Sequence, residues 1–187
     1  MNLWIAAAGT EPLPAWFSVH MDRIADSYET LRFRRAVEWK TGVMHYMSRF
    51  TSEELTRKRY HHVTPQGEFY AYCGLAFDRL GEFDMSQADV LAERFDDIQA
   101  RGEGVFAALQ MGSSGLTLLG DPLGAQKVYA YRPAPKELYL SNDINLLRPL
   151  KTPSINLDFF LQHVILGHTT GTSTDDTDIE RLAIYPR

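Results

Sequence analysis

The chain has 187 residues, 44% hydrophobic and 23% charged, which suits one domain with a full core: burying roughly 70% of the unfolded surface needs no disulfide or metal. A formal net charge of −5 argues against the basic face that nucleic-acid binding requires, and a single cysteine excludes an internal disulfide or a Cys-rich zinc cluster. No stretch is long and apolar enough for a membrane-spanning helix, and no basic region precedes the first apolar run, so a cytoplasmic protein is expected.

Residues 3–8 (LWIAAA) predict a buried strand, ended by Gly9, Pro12 and Pro14. From 15 to about 35, Trp16, Val19, Ile24, Tyr28 and Leu31 recur near helical spacing with charges between them, which predicts one amphipathic helix. The period then changes. Residues 43–50 and 67–73 are rich in β-branched and aromatic side chains and predict strands, and the polar stretch 51–62 between them predicts an exposed loop or helical turn. Ser86-Gln87-Ala88-Asp89 opens a helix whose apolar stripe, Val90, Leu91, Phe95 and Ile98, closes at Gly102.

Residues 105–110 and 116–119 flank Gly112-Ser113-Ser114-Gly115 and predict a β-hairpin. Residues 127–132 and 137–141 form a second pair of short strands around Pro133-Ala134-Pro135. Residues 143–150 and 157–166 carry short helical patterns, and 167–178 is a polar, Thr-rich loop. There is no internal repeat, long linker or low-complexity tract, so residues 1–187 are expected to form one α+β domain.

Generic motifs are few. The chain contains no phosphate loop of the G-x-x-x-x-G-K-[ST] type, no G-x-G-x-x-G and no H-E-x-x-H. His61 and His62 are adjacent, which on a strand points them to opposite faces and suits a metal site poorly. His163 and His168 bracket a helix end without a carboxylate at ligand spacing. Asp175, Asp176 and Asp178 lack the glycine and terminal glutamate of a calcium loop, so no metal is expected. Cys73 ends an apolar strand with no local base, the setting of a buried small hydrophobe.

One region says more. Gly104-Val105-Phe106-Ala107, then Leu119-Gly120-Asp121-Pro122-Leu123-Gly124, then Val128-Tyr129-Ala130-Tyr131 and Leu138-Tyr139-Leu140-Ser141-Asn142-Asp143 follow one another closely. This series resembles the amidotransferase domain of glutamine-dependent asparagine synthetases. That family runs through a Gly-x-Phe-Ala strand, an Arg-Asp-Pro-x-Gly turn, an aromatic strand and Phe-Ala-Ser-Glu before a Leu-rich helix. Ile155-Asn156-Leu157-Asp158 resembles the start of its next helix, and Ala183-Ile184-Tyr185-Pro186 resembles the segment before its Pro-Gly exit. Cys73-Gly74-Leu75-Ala76-Phe77-Asp78 falls where the family carries Asn-Gly-Glu-Ile-Tyr-Asn. The match spans about residues 43–187, and β-lactam synthetase and lasso-peptide cyclases of the same superfamily are similar to an equal degree. The fold this implies is a four-layer αββα sandwich of the N-terminal-nucleophile hydrolase type.

Active members of the family hydrolyse glutamine with a cysteine exposed as the first residue, whose own α-amine serves as base. Carried over position by position, the resemblance implies a degenerate glutamine pocket. Asn2 stands at the nucleophile, and its bulk is expected to keep Met1 in place, blocking the free amine. Cys73 stands at the oxyanion asparagine, Leu75 at the glutamate, and Gln87 at the acid that grips the substrate's ammonium. Only Gly74 is kept. A buried Leu75 would leave that ammonium unpaired, at several kcal/mol.

The resemblance therefore implies a non-hydrolysing, pseudo-glutaminase domain of an ATP-dependent amide-forming ligase, with a structural or docking role and no catalytic residue of its own. The Ser-Gly-Gly-x-Asp-Ser loop of the family's synthetase domain is absent from the sequence. ATP and Mg would then belong to that second domain, in cis or in trans, with no cofactor in this chain. A homodimer is a further option, and neither nucleic acid nor membrane is expected as a partner. The end at Tyr185-Pro186-Arg187 is read as the family's passage into the synthetase half. Two other functions compete: a small-ligand or regulatory module that reuses the emptied pocket, and an active glutaminase working through Cys73.

Overall fold

The computed structural model describes residues 2–9, 11–28, 32–33, 35–51, 60–78, 88–121, 123–150 and 182–184. Gln87, the expected helix at 157–166, the loop at 167–178 and Tyr185-Pro186 lie outside them. Within the described residues the protein is mixed α/β and mostly strand, with two antiparallel sheets and three α-helices.

The apolar run at the N-terminus is strand β1, Asn2–Ala8, buried on both faces, which is why it reads as continuous apolar sequence rather than alternation. It lies at the interior of a six-stranded sheet, between β3 (Met44–Phe50) and β9 (Leu138–Ser141). β2 (Arg35–Lys40) extends the sheet beyond β3, and β8 (Tyr129–Tyr131) with β10 (Leu182–Ile184) extends it beyond β9. The second sheet runs β4 (His61–Val63), β5 (Phe69–Asp78), β6 (Gly102–Gly112) and β7 (Gly115–Gly120). β6 and β7 are the expected hairpin, with Gly112 paired to Gly115 across Ser113 and Ser114.

Strand alternation sorts the side chains into three cores. Trp4, Ala6, Met44 and Tyr46 of the first sheet meet Phe69, Ala71, Cys73, Ala107, Leu109 and Met111 of the second. The opposite face of β1, Leu3, Ile5 and Ala7, packs with Phe17, Met21 and Ala25 of α1 (Phe17–Ser27) and with Leu146 and Leu147 of α3 (Ile144–Leu147). The outer face of the second sheet, Tyr70, Tyr72, Phe106 and Ala108, packs with Leu91, Phe95 and Ile98 of α2 (Ala88–Arg101). Those three residues belong to the predicted stripe of that helix. Each such large side chain contributes about 2 kcal/mol through burial.

Two expectations about elements need correction. The helix predicted from 15 to 35 ends at Ser27, capped by Tyr28, and residues 35–40 are a strand, held by pairing with β3 from Arg35↔Phe50 to Lys40↔His45. Part of the polar stretch before Gly67 is also strand: β4 pairs with β5 through His61↔Ala71 and Val63↔Phe69, and Tyr60 is buried. In both places pairing with a neighbouring strand overrides a weak local pattern. No helix among the described residues is long and apolar enough to cross a membrane.

Candidate functional site

The chain's first strand is held at its start by a side chain that imitates a neighbouring strand. The β1–β9 ladder stops at Ile5↔Ser141. Beyond it the Asn142 side chain takes over: Trp4 N–H donates to Asn142 Oδ1 at 2.9 Å, and Asn142 Nδ2 donates to the Asn2 carbonyl at 2.8 Å. Ser141 Oγ adds a 2.7 Å bond to the Trp4 carbonyl and accepts from the Asp143 amide at 3.0 Å. Asp143 then caps α3 by accepting from Asn145 N at 2.8 Å, and the Tyr28 hydroxyl, at the end of α1, donates to its other carboxylate oxygen. That hydrogen bond, with burial, holds the Tyr28 phenol up at about 12. Ser141-Asn142-Asp143 therefore fixes residue 2 at the start of the six-stranded sheet.

Asn2 is buried, and its side-chain Nδ2 crosses to the second sheet, lying 3.4 Å from the Tyr72 carbonyl. Residue 2, which the resemblance assigns to the nucleophile, therefore lies against Tyr72, the chain neighbour of the Cys73 assigned to the oxyanion donor. Neither carries usable chemistry. The Cys73 thiol is buried in the core between the sheets and accepts from Trp4 Nε1–H at 3.3 Å. Burial pushes it up to about 11, against the opposing pull of the Trp4 and Ala107 N–H groups. The thiol therefore stays protonated at neutral pH, and the side chain is only 3% exposed to solvent.

Gly74 has φ +92, and a Cβ there would sit 2.0 Å from the Val105 carbonyl oxygen. Across the same strand pair Gly104 has φ +120, with a Cβ position 2.2 Å from the Leu75 oxygen. Glycine at 74 is therefore demanded by backbone geometry alone.

Leu75 departs from expectation. It is 70% exposed rather than buried, with Phe77 at 52% and its strand partner Val105 at 45%. By alternation Leu75 and Phe77 share the face of Phe69, Ala71 and Cys73. Neither belongs to the core between the sheets, which on β5 ends with Cys73. Gln87, which the resemblance sets at the acid that grips the substrate's ammonium, lies outside the described residues.

Asp121, in the segment likened to the family's Asp-Pro turn, has a structural task. It is 2% exposed and its carboxylate accepts from the backbone N–H groups of Leu123 at 3.0 Å, Ala125 at 2.9 Å and Gln126 at 2.7 Å. Its own amide donates to the Phe106 carbonyl at 2.9 Å, tying the turn to β6. Burial works to raise its carboxyl, but the surrounding amides outweigh it and hold the group below the ordinary 3.8.

The histidines follow a similar logic. His61 and His62 lie on β4 as adjacent strand residues; His61 stacks against Phe69 at 6.4 Å between centroids, and its Nδ1 is buried without a hydrogen-bond partner. Among the described residues no three His, Cys, Asp or Glu side chains converge as a metal site. Sequence reading passes over Trp4, Asn142 and His45. The visible signal for His45 is its neighbour in space, Pro12-Leu13-Pro14, a run with a single N–H to satisfy.

Neither a family model nor a curated protein sequence matches the chain.

Proposed function

We propose that the protein is a non-hydrolysing, amidotransferase-like domain that docks on an ATP-dependent amide-forming synthetase domain and has a structural role there. The observation that carries this reading is the approach of the Asn2 side chain to the Tyr72 carbonyl, which brings the position likened to a glutaminase nucleophile next to the chain neighbour of Cys73, likened to the oxyanion donor. An amide at residue 2 cannot attack glutamine, and the nearby thiol is buried and protonated. The order of packing, with α1 and α3 against one sheet, the two sheets against each other and α2 against the second, supports the finer fold proposal of a four-layer αββα sandwich of the N-terminal-nucleophile hydrolase type. ATP and Mg would be supplied by the synthetase, and a cytoplasmic location follows from the same reading.

A second reading, a small-ligand module, draws on one observation: Leu75, Phe77 and Val105 are exposed together beyond Asn2. Against it, Trp4, Tyr46 and Cys73 fill the core between the sheets with side chains of the protein itself. The buried thiol leaves a Cys73-dependent glutaminase without support.

Two measurements test the proposal together. The purified chain incubated with glutamine should release no ammonia, and a glutamine-analogue alkylator should leave its intact mass unchanged. Cross-linking in its native cells should give adducts to a protein or segment bearing a Ser-Gly-Gly-x-Asp-Ser loop. Ammonia release or an alkylated Cys73 would overturn the loss of hydrolysis. Cross-links confined to other proteins, with an amino acid or nucleotide stabilising the isolated chain in a thermal-shift screen, would favour the ligand module.

A further inference from the structure

On the outer face of the six-stranded sheet, the segment between β1 and α1 is held by a histidine. Pro12 and Pro14 have no N–H, so Leu13 carries the one backbone donor of that tripeptide. Leu13 is itself buried, packed with Phe17 and Met21, so its amide needs a partner inside the protein. It donates to His45 Nδ1 at 3.1 Å, and the other ring nitrogen, Nε2, lies 2.9 Å from Glu38 Oε1. The Leu13 bond fixes the tautomer: Nδ1 is the acceptor, and the proton sits on Nε2, donating to Glu38.

We propose that His45 is a proton-operated latch on the 11–16 segment, closed by the neutral ring and released when Nδ1 is protonated. A proton on Nδ1 removes the only lone pair available to Leu13 and sets two N–H groups against each other. Leu13 must then leave its place under α1, or its amide stays buried and unpaired.

The groups around the ring define the range in which this happens. Glu38, on β2, favours the charged ring; Lys40, opposite His45 in the β2–β3 register and 3.7 Å from Glu38, disfavours it. From β1 the facing residue is Ala7, and from the 11–16 segment it is the Leu13 backbone. The His45 side chain is 6% exposed, and its burial outweighs Glu38, so the closed ring titrates below the ordinary 6.5. With the latch open the ring meets water and regains that ordinary value. The open form therefore gains as pH falls below 6.5, by at most about tenfold per pH unit for one proton, until the closed ring itself becomes protonated and the gain levels off.

Amide hydrogen exchange on the full chain reads this directly. The Leu13 protection factor, corrected for intrinsic exchange, should fall as pH drops below 6.5, by up to about tenfold per pH unit, while amides in the middle of β1 hold theirs. His45→Gln keeps an uncharged acceptor and should abolish the slope; Glu38→Gln should move the ring titration, followed by NMR, to lower pH. Leu13 protection that stays constant through the ring's titration would overturn the proposal, as would the same slope in the His45→Gln chain. Should either variant fail to fold, the wild-type slope still decides.

Discussion

Gly74 serves the strand pair of β5 and β6, since a Cβ would overlap the Val105 carbonyl oxygen at 2.0 Å on a backbone with φ +92. Gly67 provides the control, with a similar φ of +85 and nothing within 4 Å of its Cβ position. Gly67→Ala meets only the strain of the left-handed backbone, about 1 kcal/mol. Gly74→Ala adds a backbone clash that no rotamer can relieve, and should lower stability by at least about 3 kcal/mol in denaturant unfolding. Equal losses at the two sites would mean that β5 and β6 can part locally, and that Gly74 is not required by the fold. The same residue-scale reasoning explains the silence of Cys73. Its place on an apolar strand makes burial legible in the sequence, whereas the Trp4 N–H that it receives comes from 69 positions away and leaves no local trace. Leu75 is exposed against expectation because alternation says which face a side chain takes, but not where the facing sheet ends.

At the scale of elements, the turn after β7 depends on one carboxylate. Asp121 gathers three backbone donors at 2.7–3.0 Å. Asp121→Ala should cost about 3 kcal/mol, and Asp121→Asn, which keeps one acceptor oxygen, about half of that. The sign of the pH dependence follows from the depressed carboxyl. The contribution of the charge is complete above the unfolded value near 3.8 and is lost as pH falls through the lower folded value. The gap between wild type and Asp121→Asn, measured by urea unfolding at pH 7 and again near pH 3, should therefore narrow in acid; a constant gap would show that the amides bind a neutral oxygen equally well. Elements differ in how much of their signal is local. The hairpin of β6 and β7 and the stripe of α2 carry theirs within a dozen residues, and both stand at their expected places. β2 and β4 do not. Arg35–Lys40 alternates only weakly and merges with the helical pattern before it, and His61–Val63 is three residues long, so each is defined by its partner strand rather than by its own sequence. The His45 latch lies out of reach of sequence reading for the same reason: its two partners come from different elements, one of them β2.

For the whole molecule, β1 is a strand inside the six-stranded sheet that is buried on both faces. Its even residues face the second sheet and its odd residues face α1, and five of its side chains, Leu3 to Ala7, are at most 3% exposed. Leu3, Trp4 and Ile5 alone account for about 6–8 kcal/mol of burial, comparable with the roughly 5–15 kcal/mol that stabilises a domain. β10 stands at the opposite extreme, a strand of three residues that among the described residues lies at the sheet edge and pairs with β8 alone. Removing residues 1–8 should therefore abolish the cooperative unfolding transition seen by circular dichroism, while removing 182–187 should keep it at a lower midpoint. β1 also meets β9 across more than 130 positions of sequence, as in Ile5↔Ser141, so the central sheet cannot close until most of the chain is present. Rapid dilution from denaturant should then give slow refolding, with the Trp4 environment, buried against Cys73 and Tyr46, recovering in the final phase. A chain lacking residues 1–8 that still melts cooperatively would show that the second sheet and α2 form a self-sufficient core, to which β1 adds only a later layer.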